Sequence, residues 1–337
     1  MGEFKLATNS VGNLDEYSRF TEIYPDYDIS TLPSWVANDI ENARVYGNKK
    51  RCIIMPDGQK YHLDNKLNDM NGRDWTLFIN SVFSTHYPTR GKEGYAHEIR
   101  KIHPTPKPPQ LMRDLIKFFT KENEIVFDSF MGVGGTLIGA SLANRRALGI
   151  DLNSKYIDAY RKASIKLDIK EQKTICGDCI DILENKEAIN QYLNGEQISL
   201  MLIDPPYSNM MSKEKSGGDI SVYGKKSTPF TESEKDLGNM DKQAFLCALK
   251  KTVLLTMPFI KFRGYIVVFI KDLQPHKKEI NLLHADVINA LNEIDVIYYK
   301  GMKIWSDEST KLYPYGYPFC FVANQIHQYI LVFRKEK

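Results

Sequence analysis

Val126-Phe127-Asp128-Ser129-Phe130-Met131-Gly132-Val133-Gly134-Gly135-Thr136 runs from an apolar strand into a glycine-rich turn and on towards a helix. Glycine there lets a ligand approach the backbone closely, and a strand-turn-helix of this kind opens the βαβ unit of a parallel sheet. The same residues would also suit a plain tight turn between a strand and a helix. Context comes from Asp151, directly after the next apolar run Ala147-Leu148-Gly149-Ile150, where an acidic side chain can hold ribose hydroxyls.

Outward from this stretch, from about residue 101 onward, strand-like apolar runs alternate with helical ones, the mark of a parallel sheet covered by helices. Strands are expected at 124–127, 147–150, 173–176, 200–203, 264–270, 296–305 and 328–334, and helices at 136–144, 154–167, 242–259 and 277–293. Ser154 offers an N-cap. Seven strands make an α/β, doubly wound, mostly parallel sheet, and the missing helix between the last two makes that pair an antiparallel hairpin. The first hundred residues read differently. Pro33, Pro56-Asp57-Gly58, Asn71-Gly72 and Pro88 punctuate short mixed segments, with a hairpin expected around Pro56 to Gln59. The expected organisation is therefore an N-terminal region over 1–100, a candidate target-recognition or partner-binding element, and a catalytic domain over 101–337. Residues 208–240 show no periodicity and read as a long loop.

That loop leaves the second informative stretch, Ile198-Ser199-Leu200-Met201-Leu202-Ile203-Asp204-Pro205-Pro206-Tyr207, a buried strand opening into a cleft. Asp-Pro-Pro-Tyr after a strand reads as a site for methylating an exocyclic amine, and Pro-Pro also serves as an ordinary strand stop. The amine is a poor nucleophile because its lone pair is delocalised into the base ring. In the catalytic reading Asp204 accepts one N–H, the Pro205 carbonyl accepts the other, Pro205 and Pro206 stiffen the turn, and Tyr207 stacks on the ring. A hydride-transfer enzyme has no use for this segment, so S-adenosyl-L-methionine fits the glycine loop better than a dinucleotide does. Asp178, after the third strand, either meets the adenine amine of that cofactor or caps the following helix.

Composition adds bounds. With 337 residues, 42% apolar and 26% charged, the chain has ordinary globular composition. No apolar run approaches ~18 residues, which points to a cytoplasmic protein that does not enter the membrane. Five scattered cysteines, Cys52, Cys176, Cys179, Cys247 and Cys320, read as free thiols, and the Cys176/Cys179 pair lacks the further ligands of a zinc site, so no metal is expected. The net charge is +3, and the window 242–278 holds Lys242, Lys250, Lys251, Lys261, Arg263, Lys271, Lys277 and Lys278 against Asp272 alone. Such an excess suits either a solvated helix face or a phosphate-contacting rim.

Taken together, 103–337 resembles the amino-group DNA methyltransferases, the family marked by D/N/S-P-P-Y/F/W, and most closely the adenine-N6 members. Asp204-Pro205-Pro206-Tyr207 matches the catalytic motif, Phe130 to Thr136 the cofactor loop, and His103-Pro104-Thr105-Pro106-Lys107-Pro108 the segment that packs over the methionine end of the cofactor. The resemblance implies a Rossmann-like methyltransferase fold and a cofactor site of Lys107, Pro108, Asp128, Phe130, Gly132, Gly134, Thr136, Asp151, Asp178 and Asp204. It implies site-specific methylation of adenine N6 in double-stranded DNA, with the target adenine flipped out, as in restriction-modification systems. None of the five cysteines follows a proline, so the nucleophile of a carbon-5 cytosine enzyme is missing. The alternatives are a cytosine-N4 DNA enzyme, an RNA or protein-amide N-methyltransferase, and a non-catalytic DNA-binding subunit. The motif order is permuted relative to the members whose wording is most similar, and little chain follows the last strand. Target recognition is accordingly expected from the first hundred residues, from 208–240, from the aromatic run Tyr313-Pro314-Tyr315-Gly316-Tyr317-Pro318-Phe319, or from a homodimer partner or a separate specificity or restriction subunit. His327, Asn324 and Tyr313 are candidates for the cleft mouth, or for simple turn and packing roles.

Overall fold

Ile198–Ile203 is buried at all six positions, and since alternate strand side chains point to opposite faces, this strand belongs inside a sheet covered on both sides. The computed structural model describes residues 14–207, 230–272 and 281–337. Its chain divides into two compact units, Met1–Asn80 with Lys117–Asn123, and Ser81–Ile116 with Glu124–Lys337.

The first unit holds a small antiparallel sheet of β1 (Arg44–Tyr46), β2 (Cys52–Ile54) and β3 (Lys60–His62). The expected hairpin is there: Gly58 takes φ +84°, its N–H donates to the Met55 carbonyl at 2.8 Å, and Asp57 accepts from the Gln59 N–H at 3.0 Å. Phe20, Val36, Ile53 and Tyr61 form the core of this unit.

The second unit is built on eight strands: β4 (Val82–Thr85), β5 (Ile125–Asp128), β6 (Arg146–Asp151), β7 (Lys173–Cys176), β8 (Ile198–Ile203), β9 (Ile260–Ile270), β10 (Ile297–Asp307) and β11 (His327–Lys335). Their order is β4-β10-β11-β9-β8-β5-β6-β7. Strands β7, β6, β5, β8 and β9 run parallel, and β11 is antiparallel to both its neighbours. This is the doubly wound, mostly parallel α/β sheet expected from the alternation, with its antiparallel last strand. The eighth strand is β4, parallel to β10 from Val82↔Ile304 to Thr85↔Asp307. A four-residue, half-exposed edge strand carries no apolar run to announce it, and its place in this sheet moves the boundary expected at 100 back to Asn80.

Helix ends follow local chemistry. Asn153 rather than Ser154 caps the helix Ser154–Lys166, accepting from the Lys155 N–H at 3.1 Å. The helix expected over 242–259 stops at Thr256, because Pro258 has no N–H to donate back, and continues as a 3-10 turn Met257–Phe259. The last helix is Leu283–Asn292. Most of the unpatterned stretch 208–240, together with Lys277 and Lys278, lies outside the described residues. Four of the eight basic residues of the window are ion-paired: Lys242 with Asp286 at 3.0 Å, Lys251 with Glu184 at 2.7 Å, Lys250 with Glu293 and Lys261 with Glu124.

Gly134 sets the turn between β5 and the helix Gly135–Leu142. It takes φ +75°, and a Cβ there would lie 2.1 Å from Cδ2 of the buried Tyr160 ring. Gly134→Ala therefore combines backbone strain with overpacking and should cost roughly 2–4 kcal/mol. Gly195, at φ +76° in open space, carries the strain alone and should cost about 1 kcal/mol as Gly195→Ala. Denaturant unfolding of both variants measures the difference; equal losses would contradict the packing argument.

Candidate active site

The sheet order reverses at β5 and β8, with β6 and β7 on one side and β9 on the other. In open parallel sheets the crevice beyond the strand ends at such a reversal is where ligands bind. Carboxylates stand at or just after the ends of β5, β6, β7 and β8: Asp128, Asp151, Asp178 and Asp204.

The four do different work. Asp151 accepts from the Gly132 N–H at 2.7 Å and the Asn153 N–H at 2.8 Å, which ties β6 to the glycine turn, and burial pushes its carboxyl up to about 6. Asp128 is buried behind the turn, accepts from the Phe130 N–H at 3.0 Å, and is pushed up to about 7 by burial. Asp178 caps the helix Cys179–Glu184, accepting from the N–H groups of Ile180 and Asp181 at 3.0 Å each, and also lines the crevice. The capping alternative raised by the sequence is thus present.

Asp204 is the hub. The Tyr207 hydroxyl donates to its Oδ1 at 2.5 Å, and Lys107 Nζ lies 2.9 Å from its Oδ2. Lys107 also donates to Gln328 Oε1 at 2.7 Å and sits over the Phe269 and Trp305 rings, 5.0 and 5.9 Å from their centroids. Only 9% of this lysine side chain is exposed, and a buried ammonium demands a counter-charge. The structure thus places Lys107, expected on the cofactor, on the Asp204 carboxylate. Tyr207, expected as a stacking face, is held by its hydroxyl. Burial and then the Asp204 charge hold that phenol well above its usual range, so it remains a donor.

Lys107, Phe130, Gly132, Asp151, Asp178 and Asp204 to Tyr207 all line one cavity of about 200 Å³. Asp128 and Thr136 face a smaller void of about 30 Å³ behind the glycine turn, Pro108 faces a third cavity, and Gly134 packs under Tyr160.

Several residues of the site were not singled out from the sequence. His103 stacks on Phe230 at 5.0 Å between ring centroids and meets Tyr156 edge-on at 4.9 Å. Burial lowers its imidazole to about 4, so it is neutral. Arg100 is buried and donates to the Lys107 carbonyl at 2.5 Å and to the Val133 carbonyl at 3.3 Å, clamping the lysine segment to the glycine turn. Lys271 and Gln328 reach the same cavity from β9 and β11. His103 and Arg100 lie in or just before a segment already read for its prolines, Phe230 falls in the unpatterned stretch 208–240, and Lys271 reads only as a charge in the basic window. Lys271 and Gln328 are brought to the site by the placement of β9 and β11 in the sheet. Asn324 pairs with both backbone groups of Tyr313 at 2.8 and 2.9 Å, and His327 packs edge-on to Tyr329, which are turn and packing roles. Cys176 is exposed and Cys179 buried; among the described residues no cluster of three or more His, Cys, Asp or Glu is arranged to hold a metal, and no helix is long and apolar enough to cross a membrane.

The donor set suits a ligand that brings hydroxyls to Asp151 and a positive centre to a cavity rich in carboxylates. Ser129 Oγ, buried at its wall, has no hydrogen-bond partner among the described residues and can meet a polar ligand atom.

The DNA methylase family model of the N6/N4 enzymes matches residues 40–162. Among curated relatives, a tRNA (guanine(10)-N2)-dimethyltransferase of Methanocaldococcus jannaschii is 30% identical over 145 residues, 41% of this chain and 39% of that one. The type II methyltransferase M.HinfI of Haemophilus influenzae is 26% identical over 172 residues, 48% of each chain. The type II methyltransferase M.HpaI of Haemophilus parainfluenzae is 39% identical over 64 residues, 19% of this chain and 20% of that one. The chain thus spans less than half the length of these relatives. A solved structure of TrmN from Thermus thermophilus overlaps 72% of this chain and 53% of that one with a TM-score of 0.45 at 12% identity. The family match takes in the lysine segment, the glycine turn and Asp151, which build one side of the cavity. It ends before Asp204, which the fold returns to the same cavity.

Proposed function

We propose that this protein methylates adenine N6 in double-stranded DNA. The observation that carries the reading is Asp204, fixed at the end of β8 in the same cavity as the glycine turn and Asp151. S-adenosyl-L-methionine supplies the electrophilic methyl group. Asp151 holds its ribose hydroxyls, Asp178 reaches its adenine amine, and neutral His103 puts no second positive charge beside the sulfonium.

On the acceptor side, the target base leaves the duplex at a cost of roughly a few kcal/mol. Its amine takes Oδ1 of Asp204 from the Tyr207 hydroxyl, and the freed Tyr207 ring stacks on the base. Lys107 stays on Oδ2, itself steadied by Gln328, so the carboxylate keeps its aim while the Pro205 carbonyl accepts the second N–H. Catalysis is then a matter of orientation, with no covalent intermediate. Asp in the motif favours adenine over cytosine N4. A specific observation favours a second reading, an exocyclic amine in RNA, because the 30%-identical relative is named for tRNA guanine N2.

Incubation of the purified protein with the cofactor and either unmodified genomic DNA or unmodified tRNA, followed by nucleoside mass spectrometry, separates these readings. The expected product is N6-methyladenine in DNA. N4-methylcytosine, or a methylated guanine found only in tRNA, would overturn the adenine assignment.

Asp151 also gives the cofactor site a pH dependence. Its carboxyl is raised to about 6, so the ionised form that accepts the ribose hydroxyls prevails above that pH and is lost as pH falls through it. Cofactor affinity measured by calorimetry should be flat above pH 7 and fall below pH 6. Asp151→Ala should bind about 10- to 100-fold more weakly and lose this pH dependence. An unchanged profile in the variant would exclude Asp151 as its source.

A further inference from the structure

The loop 308–326 between β10 and β11 presents three large aromatic side chains to solvent, Tyr317, Phe319 and Phe321, which are 81%, 91% and 92% exposed. Single exposed apolar residues are ordinary, but three within five positions form a patch that asks for a partner. The loop is built rather than frayed. Phe319 and Cys320 both donate their N–H groups to the Gly316 carbonyl, at 2.7 and 2.8 Å, and the Asn324 side chain brackets Tyr313. Gly316 holds the turn at φ +75°, where a Cβ would lie 2.2 Å from the Cys320 carbonyl oxygen. The rings are therefore aimed before any partner arrives, which lowers the entropic cost of binding.

Two observations select the partner. The first is charge: between 308 and 326 the loop has Glu308 and Lys311 and no other Asp, Glu, Lys or Arg, so it offers ring faces rather than a phosphate or carboxylate site. The second is continuity with the catalytic cavity. Asp307, Ser309 and Thr310 at one root of the loop and Ile326 at the other line a cavity of about 240 Å³. That cavity shares Thr105, Lys107, Lys271 and Gln328 with the one that holds Asp204. A base that leaves its stack to reach Asp204 exposes the ring faces of its neighbours and its orphaned partner, and aromatic side chains meet such faces without regard to sequence.

We propose that Tyr317, Phe319 and Phe321 stack on the bases next to the target base and so hold the nucleic acid open during the reaction. The proposal rests on the reading of the site as a nucleobase amine methyltransferase. It is tested with the full chain saturated with S-adenosyl-homocysteine, by fluorescence anisotropy of a labelled random-sequence DNA duplex. The combined Tyr317→Ala, Phe319→Ala, Phe321→Ala variant should bind at least ~10-fold more weakly than the parent, while the combined Trp variant at the same positions retains binding. Cofactor affinity and thermal midpoint should be unchanged in both variants, since the three side chains lie outside the core. Equal DNA affinity in the Ala variant overturns the proposal, and so does a loss of self-association with DNA affinity intact, which would make the patch a contact between copies of the chain. In either case methylation of DNA by the parent protein leaves the functional reading standing. If the parent neither binds nor methylates DNA, both readings fall.

Discussion

The site depends on a buried ion pair, Lys107 with Asp204. An ammonium with so little exposure is costly unless its charge is met, and a carboxylate at the mouth of a central strand turns freely unless something holds it. Each residue solves the other's problem. Gln328 and the Phe269 and Trp305 rings complete the lysine's surroundings, so three separate segments of the chain, the stretch after 103, the end of β8 and the start of β11, are joined at one charge. Arg100 extends the junction to the glycine turn through two backbone carbonyls. The glycine turn and the Asp204 end of β8 are thereby fixed relative to each other within one unit of the fold.

Around this pair the carboxylates divide the labour by environment. Asp128 and Asp151 are pushed up by burial, and both spend hydrogen bonds on backbone N–H groups of the turns beside them. Their desolvation is offset in part by those bonds. For stability the sign is unfavourable at neutral pH. A carboxyl whose folded value lies above its unfolded one takes up protons on folding, so it opposes folding increasingly as pH rises from about 4 towards 7.

Much of this was legible in the chain because it is written locally. The strand Ile198–Ile203 with its Asp-Pro-Pro-Tyr ending, the glycine turn and Asp151 are each a run of neighbours whose pattern follows from burial on both faces or from a backbone that must bend. What was not legible is non-local. β4 is too short and too exposed to show a pattern, and its pairing with β10 is a property of the sheet. Lys107 read as a cofactor residue because the segment around it is what the sequence displays, whereas its partner Asp204 lies 97 positions on and meets it only through the β5/β8 reversal. The ion pairs of the basic window are likewise non-local, since Asp286, Glu293, Glu184 and Glu124, the partners of Lys242, Lys250, Lys251 and Lys261, belong to other segments.

The most direct test is single-turnover methyl transfer by Asp204→Ala, with cofactor affinity measured on the same preparation. If Asp204 orients the amine, transfer falls by about 10²- to 10³-fold while the cofactor binds as before. If transfer proceeds at the parent rate with the cofactor bound, Asp204 does not hold the amine, and the account of this site is wrong.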